Sequence, residues 1–585
     1  MKGYVAGGQS APATSPKEPL GAATSLFSEL KPPLDFKSAF YEALRCLYCG
    51  GDGILAPCTL ACPAAIDVPK FIKAIAKGEP GLAAQVIFSA NPLGGSCARV
   101  CPTEELCEGS CVLEEQGRRP VSIGRLQRYA ADKLLDNPDT ATNLVETNGV
   151  SHKVSVIGAG PAGMACASRL AQWGYSVTVY DSRPEPGGLV RFAIAPYRLL
   201  KEPLMEEKAR LEQMGVQFRF NHPILGTSAV RTLENESEAI FLGVGLGEDV
   251  PISYPGDHLP GVWQSLAFIE EIKTGHLPSV GRRVAVIGGG NTAIDVAREA
   301  LRLGAEEVTI VYRRTEAEMP AYRQEVKDAE REGVRFLWLT IPVRLLGTNR
   351  LESMECQNMR LGEPDATGRR RPEPISGTEF ILPIDTVIRA VGQRHRTELQ
   401  DWIPNLEMKN GLIAVHSDSM QTSNRKYFAG GDAVNGGATV VEAVRMGKVA
   451  AEGIRAYLEP SLAVPEDTTT SMTLPDVLDL VPQMTYHQGS ASLKVNRDWC
   501  KGCNICVEDC PAGILALDDN ELVYVTHIDH CILCGICALR CPDFVFSLAT
   551  PDGEVMAGPG DDTLMADDGL KDKTGGHQYA TSARK

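Results

Sequence analysis

The chain has 585 residues, of which 43% are hydrophobic and 23% charged, so it is long enough for roughly three to five globular units. Its formal net charge of −16 disfavours nucleic acid as a partner, because binding to phosphates depends on clustered Lys and Arg. The N-terminus lacks the apolar stretch of a signal peptide and no run is long enough to span a membrane, so we expect a soluble, cytoplasmic protein.

The composition changes along the chain and predicts a multidomain α/β protein. A Gly-, Ala-, Ser- and Pro-rich start is followed by helical periodicity and then by alternating apolar strands, glycine turns and helices, which is typical of parallel α/β units. The expected order is a flexible arm (1–35), a helical cysteine-bearing domain (36–145), a first α/β domain in two parts (146–280 and 396–460) around a second one (281–395), a linker (461–490), a compact cysteine-rich module (491–548) and a flexible tail (549–585).

Grouped cysteines mark the helical domain. Without an export signal, the 18 cysteines of the chain favour metal binding or burial over disulfides. Eight thiols here suffice for two 4Fe-4S clusters, and a structural zinc domain is the alternative, since the spacings differ from those of a ferredoxin. The candidate ligands are Cys46, Cys49, Cys58, Cys62, Cys97, Cys101, Cys107 and Cys111.

A dinucleotide fingerprint opens the first α/β domain, where a predicted strand is followed by GAGPAG, a helix and a second strand. Gly158 permits the tight turn, Gly160 lets the backbone approach a pyrophosphate, and the helix N-terminus stabilises the phosphate charge. Asp181 ends the second strand, where an acidic side chain accepts from ribose hydroxyls. The residues assigned to this site are Gly158, Ala159, Gly160, Pro161, Ala162 and Asp181.

A second fingerprint, VAVIGGGNTAID, opens the inner α/β domain. The acidic residue is missing, and Arg313 and Arg314 stand at the strand end instead. A guanidinium there suits the 2′-phosphate of NADP(H), so NADP(H) is predicted in preference to NAD(H). Solvation of a surface turn is the alternative role for the two arginines. The residues assigned to this site are Gly288, Gly289, Gly290, Asn291, Thr292, Arg313, Arg314 and Gly392.

The segment YFAGGDAV predicts a second flavin contact farther along the chain. Gly431 and Asp432 follow a short strand, and a helical pattern begins near Thr439. A Gly-Asp turn before a helix can hold a ribityl or pyrophosphate group, with an ordinary helix cap as the alternative.

The C-terminal module contains CxxCxxCxxxCP twice. In two-cluster bacterial ferredoxins with this spacing, the fourth cysteine of each motif ligates the other cluster. A zinc ribbon needs paired cysteines alone, so the repeated triple argues against zinc. The predicted ligand sets are Cys500, Cys503, Cys506 and Cys541 for one cluster, and Cys510, Cys531, Cys534 and Cys537 for the other.

Several longer motifs are specific when taken together: RCLYC, CTLACP, CPTEELCEGSC, GAGPAG, GGLVRFAIAPYRLLKE, GGGNTAIDVAREALRLGAEEVTIVYRR and FAGGD. Through them the chain from about 45 to 454 resembles the small-subunit family of NADPH-dependent glutamate synthase, a module that also opens dihydropyrimidine dehydrogenase. The resemblance implies a helical iron–sulfur domain and two Rossmann-like domains for FAD and NADP. The α+β bacterial-type ferredoxin domain lies outside it.

The resemblance also implies ligands and flavin contacts. One N-terminal cluster would use Cys46, Cys49, Cys58 and Cys111, and the other Cys62, Cys101 and Cys107 with either Cys97 or Gln127. Contacts with FAD are implied for Asp181, Gly188, Leu189, Arg198, Gly431, Asp432 and Thr439. Two departures stand out: eight residues separate Cys49 from Cys58 where the family usually has fewer, and Asp181 replaces a glutamate.

These patterns lead to one functional hypothesis, electron transfer between NAD(P)H and ferredoxin or a catalytic subunit of a 2-oxoacid or aromatic-ring-reducing complex. The expected cofactors are FAD, NADP(H) with NAD(H) as the alternative, and four 4Fe-4S clusters, and the expected assembly is a hetero-oligomer. No acid–base residue is nominated, because the cofactors supply the chemistry. The alternatives are a glutamate synthase small subunit and, from another class, a zinc-stabilised scaffold without redox activity.

Overall fold

The computed structural model describes the chain from the end of the predicted arm to a strand within the predicted tail, with gaps. It describes residues 26–49, 55–115, 117–135, 152–364, 370–460, 484–488, 491–495, 497, 500–508, 510, 512–518, 520–531, 537–538, 541, 545–549 and 555–557. The predicted ligand Cys534 and most of the predicted arm, linker and tail lie outside these residues.

Short helices build the N-terminal domain. They are α1 (Phe36–Ala43), α2 (Pro57–Leu60), α3 (Val68–Ala76), α4 (Pro80–Ala90), α5 (Gly94–Val100), α6 (Val112–Glu115) and α7 (Ile123–Leu135). Asp35 and Asp67 cap α1 and α3, since each carboxylate accepts from a backbone N–H three residues on. The helices bury one apolar face each, with Phe71, Ile87 and Leu126 at 0% exposure.

The last part of the predicted flexible arm is docked. Phe27 is 2% exposed and belongs to the core of the second α/β unit. Glu29 forms ion pairs with Arg99, at 3.1 Å, and with Arg128. The prediction of flexibility is therefore wrong for residues 26–35, because one apolar and one acidic side chain anchor a segment whose composition suggests disorder.

The first α/β unit begins after the helical domain. Its elements up to the crossover are β1 (Lys153–Ile157), α8 (Pro161–Gln172), β2 (Ser176–Tyr180), α9 (Leu189–Phe192), α10 (Glu202–Gln213), β3 (Gln217–Arg219), α11 (Gly226–Glu236) and β4 (Ala239–Leu242). The pairing is parallel, with Ile157 opposite both Tyr180 and Leu242. The carboxyl ends of these strands therefore form one sheet edge, where open α/β sheets bind ligands.

The second unit is inserted into the first. Its elements are β5 (Val262–Gln264), α12 (Ser265–Lys273), β6 (Arg283–Ile287), α13 (Asn291–Arg302), β7 (Glu307–Val311), α14 (Arg323–Arg331), β8 (Arg335–Leu337), β9 (Thr340–Leu346), β10 (Ser353–Pro364), β11 (Arg370–Pro383) and β12 (Thr386–Arg389). A parallel sheet has the order β5-β12-β6-β7-β8, and β9, β10 and β11 form an antiparallel sheet beside it. Because β5 pairs with β12, the second sheet starts before the predicted boundary at residue 280.

The chain then returns to the first unit through α15 (Leu399–Trp402), β13 (Met408–Lys409), β14 (Leu412–Ile413), β15 (Tyr427–Ala429), α16 (Asp432–Asn435) and α17 (Val440–Leu458). Strand β15 pairs with β4 and completes the sheet order β15-β4-β1-β2-β3. Helix α17 crosses α8 at close range, since a Cβ on Gly447 would lie 2.1 Å from the Ala162 carbonyl oxygen.

The C-terminal module combines short strands with one short helix in its described part. Its elements are β16 (Met484–Gln488), β17 (Ala491–Val495), α18 (Ile505–Glu508), β18 (Leu515–Leu517), β19 (Val523–Val525), β20 (Phe546–Ala549) and β21 (Val555–Ala557). One sheet has the order β16-β17-β20-β21. Strands β16 and β21 fall in the predicted linker and tail, so the module extends beyond both predicted boundaries.

The predicted fold class is confirmed by these units. None of the helices in the described ranges combines the length and the apolarity that a membrane crossing requires.

Candidate functional site

The first glycine turn forms between β1 and α8, as the fingerprint predicts. Gly158 has φ +103°, and a Cβ there would lie 2.2 Å from the Gly243 carbonyl oxygen, so neither the conformation nor the space admits a side chain. A Cβ on Gly163 would lie 1.9 Å from the Gly158 carbonyl oxygen. The turn therefore leads directly into the N-terminus of α8, whose unpaired N–H groups can bind a phosphate.

Two more glycines close around that helix N-terminus. A Cβ on Gly188 would lie 3.4 Å from the Gly160 Cα, and one on Gly431 would lie 3.1 Å from the Ala162 Cβ. These contacts bring together three turns that are far apart in the sequence. We call Gly160, Gly188 and Gly431 the cradle: it is a concave backbone surface that side chains would fill, and it fits a pyrophosphate.

Asp181 lies at the predicted strand end and braces the first turn. Its Oδ2 accepts from the Ala159 N–H at 2.7 Å, and its Oδ1 accepts from the Arg183 N–H at 2.8 Å. A carboxylate oxygen can accept more than one hydrogen bond, so the predicted contact with a ribose hydroxyl is compatible with both.

Asp432 and Thr439 differ in what their side chains do. Asp432 directly follows the cradle glycine Gly431, and burial raises the pKa of its carboxyl group, with a smaller opposing effect from the Ala438 N–H. Thr439 caps α17, because its hydroxyl oxygen accepts from the Glu442 N–H at 3.1 Å. The Thr439 side chain is thus a helix cap, and its implied contact with FAD stays a prediction.

Leu189 begins α9 directly after the cradle glycine Gly188, whereas Arg198 lies at a junction of three domains. The Arg198 guanidinium is 3.3 Å from Asp295 and 3.6 Å from Glu325, both in the second unit. It also donates to the Val100 carbonyl oxygen of the helical domain at 3.4 Å. These are the partners of Arg198 in the structure, and its implied contact with FAD stays a prediction.

The second glycine turn repeats the geometry of the first. Gly288 has φ +142°, and a Cβ there would lie 2.1 Å from the Ala390 carbonyl oxygen. A Cβ on Gly289 would lie 2.4 Å from the Tyr312 ring. Gly290 caps α13, and none of the described residues outside its chain neighbours lies within 4 Å of its Cβ position, so the N-terminus of α13 is open at the point where a phosphate would approach.

The remaining predicted residues of this turn lie at the same sheet edge. The Asn291 Oδ1 accepts from the Tyr322 N–H at 2.9 Å, and Thr292 is half-buried in the first turn of α13. Gly392 follows β12 with φ +104° and free space within 4 Å of its Cβ position. Since β12 and β6 end side by side, Gly392 adds to the open region beside the turn.

The predicted arginine pair is split by the fold. Arg313 is exposed at the end of β7, and it opposes, with Arg389, the effect of burial that raises the pKa of Tyr254. Arg314 is 8% exposed and donates from Nε to the Arg370 carbonyl oxygen at 3.0 Å. Of the two arginines, Arg313 is therefore the one that a 2′-phosphate could approach. Arg314 is instead hydrogen-bonded to the backbone of β11.

Four N-terminal cysteines line one cavity. Burial raises the pKa of Cys58 to about 12, with further contributions from Cys46, Cys49 and Cys111. The same four thiols line a cavity with Val68 among its apolar walls. We call Cys46, Cys49, Cys58 and Cys111 the outer group. The long interval before Cys58 thus does not keep this thiol from the others.

The other four N-terminal thiols form a second group. A hydrogen bond with Cys97 and burial raise the pKa of Cys101, with contributions from Cys107 and Cys62. We call Cys62, Cys97, Cys101 and Cys107 the inner group. Gln127, the alternative fourth ligand, donates its amide N–H to the Gly94 carbonyl oxygen at 2.7 Å. Of the two candidates, Cys97 is the one whose contact with another thiol of the group is evident.

The described cysteines of the C-terminal module lie near one another, and the predicted exchange of the fourth ligand stays a prediction. Burial raises the pKa of Cys506, and Cys541, Cys503, Cys500 and Cys537 contribute in that order. Cys510, Cys531 and Cys537 pack against the same core. In the described part of the chain, no three His, Cys, Asp or Glu side chains converge closely enough for one metal ion. The cavity lined by the outer group fits an iron–sulfur cluster, whose thiol ligands must be deprotonated on binding.

Three protein-family models match the chain. Residues 23–138 match dihydropyrimidine dehydrogenase domain II, 4Fe-4S cluster, residues 152–447 match pyridine nucleotide-disulphide oxidoreductase, and residues 499–545 match the 4Fe-4S dicluster domain. These three ranges coincide with the helical domain, the two nucleotide-binding units and the C-terminal module.

Curated relatives extend over most of the chain. The glutamate synthase [NADPH] small chain of Halomonas elongata is 36% identical over 462 residues, which cover 76% of this chain and 96% of the relative. The chain belongs to the glutamate synthase small-chain family. The NADPH-Fe(3+) oxidoreductase subunit beta of Geobacter sulfurreducens is 35% identical over 76% of this chain and 71% of its own length. The NADP(+)-dependent formate dehydrogenase subunit beta of Moorella thermoacetica is 38% identical over 73% of this chain and 62% of its own length.

This member of the glutamate synthase small-chain family is an NAD(P)H-dependent oxidoreductase that transfers electrons with FAD, NADP and iron–sulfur centres. The predicted family and reaction class are confirmed.

Sequence reasoning missed Lys448, which joins the inner group to the flavin unit. Its Nζ donates to the carbonyl oxygens of Ala64 and Ala90, at 2.8 Å each. Ala64 lies two residues after Cys62. A lysine on the helix after FAGGD gives no signal of this contact, because its acceptors are backbone atoms of another domain.

Glu207 is a second residue that the sequence did not single out. It is 2% exposed on α10 and accepts from the Ser96 N–H at 2.8 Å and from the Ser96 hydroxyl at 2.5 Å. Burial raises the pKa of Glu207 to about 7, with the bonds from Ser96 opposing. The contact ties the flavin unit to α5, the helix that carries Cys97.

A buried charged cluster joins the two nucleotide-binding units. Lys273 donates to the carbonyl oxygens of Val190, Ile194 and Leu199, at 3.3, 2.7 and 3.1 Å. Three acceptors suit an ammonium group, although burial lowers the pKa of Lys273 to about 7.

Glu299, on α13, belongs to the same cluster and is 0% exposed. Its two carboxylate oxygens have no hydrogen-bond partner among the described residues. Burial and the neighbouring Asp295 raise the pKa of Glu299 well above its ordinary value, against the opposing charge of Lys273. Both observations favour the neutral form of the Glu299 carboxyl group.

Proposed function

We propose that the chain transfers electrons between NADP(H) and one-electron carriers, using FAD and four 4Fe-4S clusters. The carriers are ferredoxin or a catalytic subunit of a larger oxidoreductase complex. The observation that carries this proposal is the attachment of the inner group to the flavin unit through Lys448, which donates to two carbonyl oxygens of the helical domain at 2.8 Å. Thiols that bind clusters next to a flavin site support electron transfer over a purely structural role.

Each set of residues would bind a different cofactor. The cradle and the N-terminus of α8 would bind the FAD pyrophosphate, and the open N-terminus of α13 with Arg313 would bind NADP(H). FAD, when bound, exchanges a hydride with nicotinamide and electrons singly with other carriers. Sixteen cysteines would hold the clusters, with Cys97 as the fourth residue of the inner group. Asp181, Arg198, Asp432 and Thr439 would support the flavin from the positions described above.

The composition of the purified protein tests the cofactor set. Anaerobic preparations should contain one FAD, about 16 iron atoms and about 16 sulfides per chain. NADPH should bleach the flavin, and added ferredoxin should then be reduced. Zinc without acid-labile sulfide would favour the scaffold alternative, which the family assignment opposes. Flavin bleaching without ferredoxin reduction would reject ferredoxin as the carrier and leave a catalytic subunit.

Two relatives support a partner subunit. The Geobacter protein is named as a subunit of an NADPH-Fe(3+) oxidoreductase and the Moorella protein as a subunit of an NADP(+)-dependent formate dehydrogenase. A hetero-oligomer is proposed for this chain on the same basis. Anaerobic affinity purification from the native source tests it, and a chain that elutes alone at the mass of a monomer would contradict it.

A second candidate function is that of a glutamate synthase small subunit. It is favoured by the match to 96% of the Halomonas small chain, and the C-terminal cluster module argues against it. The test is to mix the chain with a glutamate synthase large subunit and measure glutamate formation from glutamine, 2-oxoglutarate and NADPH. Activity that depends on this chain would establish the second candidate.

A further inference from the structure

Two cysteine loops from opposite ends of the chain meet in the structure. Lys501 lies between Cys500 and Cys503 in the C-terminal module, and Tyr48 lies between Cys46 and Cys49 in the helical domain. The Lys501 Nζ donates a hydrogen bond to the Tyr48 carbonyl oxygen. The two residues are 453 positions apart, so the contact is a tertiary one between two domains.

Tyr48 connects Lys501 to the outer group by its backbone atoms. The Tyr48 N–H donates to the Cys46 Sγ at 3.4 Å. Tyr48 therefore contacts Cys46 through its N–H and Lys501 through its carbonyl oxygen, so one peptide segment links the two loops.

The two N-terminal cysteine groups consequently have different neighbours. The inner group is joined to the flavin unit by Lys448, whose acceptors Ala64 and Ala90 belong to the helical domain. The outer group faces Lys501 and the loop that carries Cys500 and Cys503. The helical domain thus stands between the flavin unit and the C-terminal module.

We propose that the C-terminal module docks in cis on the outer group, with Lys501 as the positioning residue on the Tyr48 carbonyl oxygen. This docking makes the outer group and the set of Cys500, Cys503, Cys506 and Cys541 neighbours within one chain. The proposal rests on the proposed function for the cofactors that the two cysteine sets hold. The docking itself is a contact between protein groups and can be tested separately.

Cross-linking of the wild-type, full-length protein is the first test. Lys73 approaches the same residue from within the helical domain, with its Nζ 6.0 Å from the centroid of the Tyr48 ring. A short amine-reactive reagent, followed by mass spectrometry, should therefore join Lys73 to Lys501. The docking is overturned if cross-links form within each domain while the one between Lys73 and Lys501 is absent.

Hydrogen–deuterium exchange of variants is the second test. Lys501→Ala should raise the exchange of the peptide that covers residues 44–49 severalfold, because the module no longer covers it. Lys494→Ala is the matched control, since Lys494 is an exposed lysine on β17 of the same module. In this variant the peptide that covers residues 44–49 should exchange as it does in the wild type. Lys501→Arg should restore protection, because it keeps a long cationic donor. Equal exchange in Lys501→Ala and the wild type would overturn the role of Lys501.

Low-temperature electron paramagnetic resonance gives a readout of the assembled protein. After reduction with dithionite, the spectrum of the wild type should show magnetic interaction between centres that weakens in Lys501→Ala and persists in Lys494→Ala. Unchanged spectra in Lys501→Ala would count against the docking. A colourless preparation would reject the proposed function, whereas the cross-link and the exchange data would still decide the docking. The cross-link also decides it if Lys501→Ala does not fold.

Discussion

The two nucleotide-binding units share one scaffold and differ at the end of the second strand. In each, a central strand leads into a glycine turn and a helix, and the parallel neighbours follow in the same order. The flavin unit ends its second strand with Asp181, which accepts from the backbone of its own turn. In the second unit, which is inserted into the flavin unit and is called the inner unit below, the exposed Arg313 follows the second strand. The shared turn is suited to bind phosphate, and we propose that the charge at this one position distinguishes the two ligands.

The two units also differ in how they close. The outermost strand β15 of the flavin unit comes from late in the chain, whereas β5 of the inner unit comes before the rest of its sheet. Each unit also buries a glutamate, and the two glutamates differ in their hydrogen bonds. Glu207 accepts two hydrogen bonds from Ser96. The carboxylate oxygens of Glu299 have no hydrogen-bond partner among the described residues. The common scaffold therefore tolerates different interiors.

The largest expected effect concerns the two glycine turns. Gly158→Ala should abolish flavin binding, with a loss of more than about 90%, because its Cβ would collide with the Gly243 carbonyl oxygen at 2.2 Å. Gly288→Ala should keep the flavin and weaken NADPH binding by at least about tenfold. Flavin absorbance per chain and NADPH titration measure these effects.

Gly81→Ala serves as the control for both glycine substitutions, because it has free space within 4 Å and no positive φ. It should bind both ligands like the wild type. Loss of flavin in Gly288→Ala would mean that the two turns do not act separately.

The next effect concerns the Glu207 carboxyl group of the flavin unit. Its pKa in the folded protein is about 7, above that of an unfolded chain, so the folded state holds the proton more tightly. Stability from this group is full below about pH 4.5 and falls as the pH rises to 7, by roughly 3 kcal/mol. Glu207→Gln should remove this loss. Denaturant unfolding of both proteins at several pH values between 4.5 and 8 measures it, and parallel pH profiles would contradict the assignment.

A smaller effect separates the two arginines of the inner unit. Arg313→Ser should weaken NADPH binding by about 1.5–3 kcal/mol, roughly ten- to a hundredfold, and leave NADH binding unchanged. Arg314→Ser should keep the NADPH/NADH ratio and lower the free energy of unfolding by about 0.5–1.5 kcal/mol, since the hydrogen bond to the Arg370 carbonyl oxygen is lost. Dissociation constants for both nucleotides distinguish the variants. A ratio that Arg313→Ser leaves unchanged would remove the basis for the NADP preference.

The smallest effect is expected for Glu299 of the inner unit. If its carboxyl group is neutral, Glu299→Gln should change the free energy of unfolding at pH 7 by less than about 1 kcal/mol. An ionised Glu299 paired with Lys273 would instead lose about 3–5 kcal/mol on this substitution. Denaturant unfolding at pH 7 measures the difference. A large loss would show that Glu299 is ionised at pH 7 and would remove this contrast between the units.

The local parts of the sites could be predicted from the sequence. Gly158, Gly288 and the repeated cysteine motifs have their function within a few residues, because tight turns and metal ligation depend on local geometry and donor type. The different environments of Arg313 and Arg314 could not be predicted in this way. Both residues lie in a bend after β7, where the backbone of Arg370 on β11 accepts from Arg314 while Arg313 stays exposed.

The sequence by itself determined the family, the order of the three matched regions and the two glycine turns, and it predicts the cysteine sets of the C-terminal module. The tertiary structure alone decided that Lys448 reaches the carbonyl oxygens of Ala64 and Ala90, that Phe27 anchors the arm, and that Lys501 reaches Tyr48. Turns and ligand motifs are specified by neighbouring residues, whereas these contacts join segments far apart in the chain. Such contacts depend on how whole surfaces pack, and a single lysine or phenylalanine in a sequence does not name its partner.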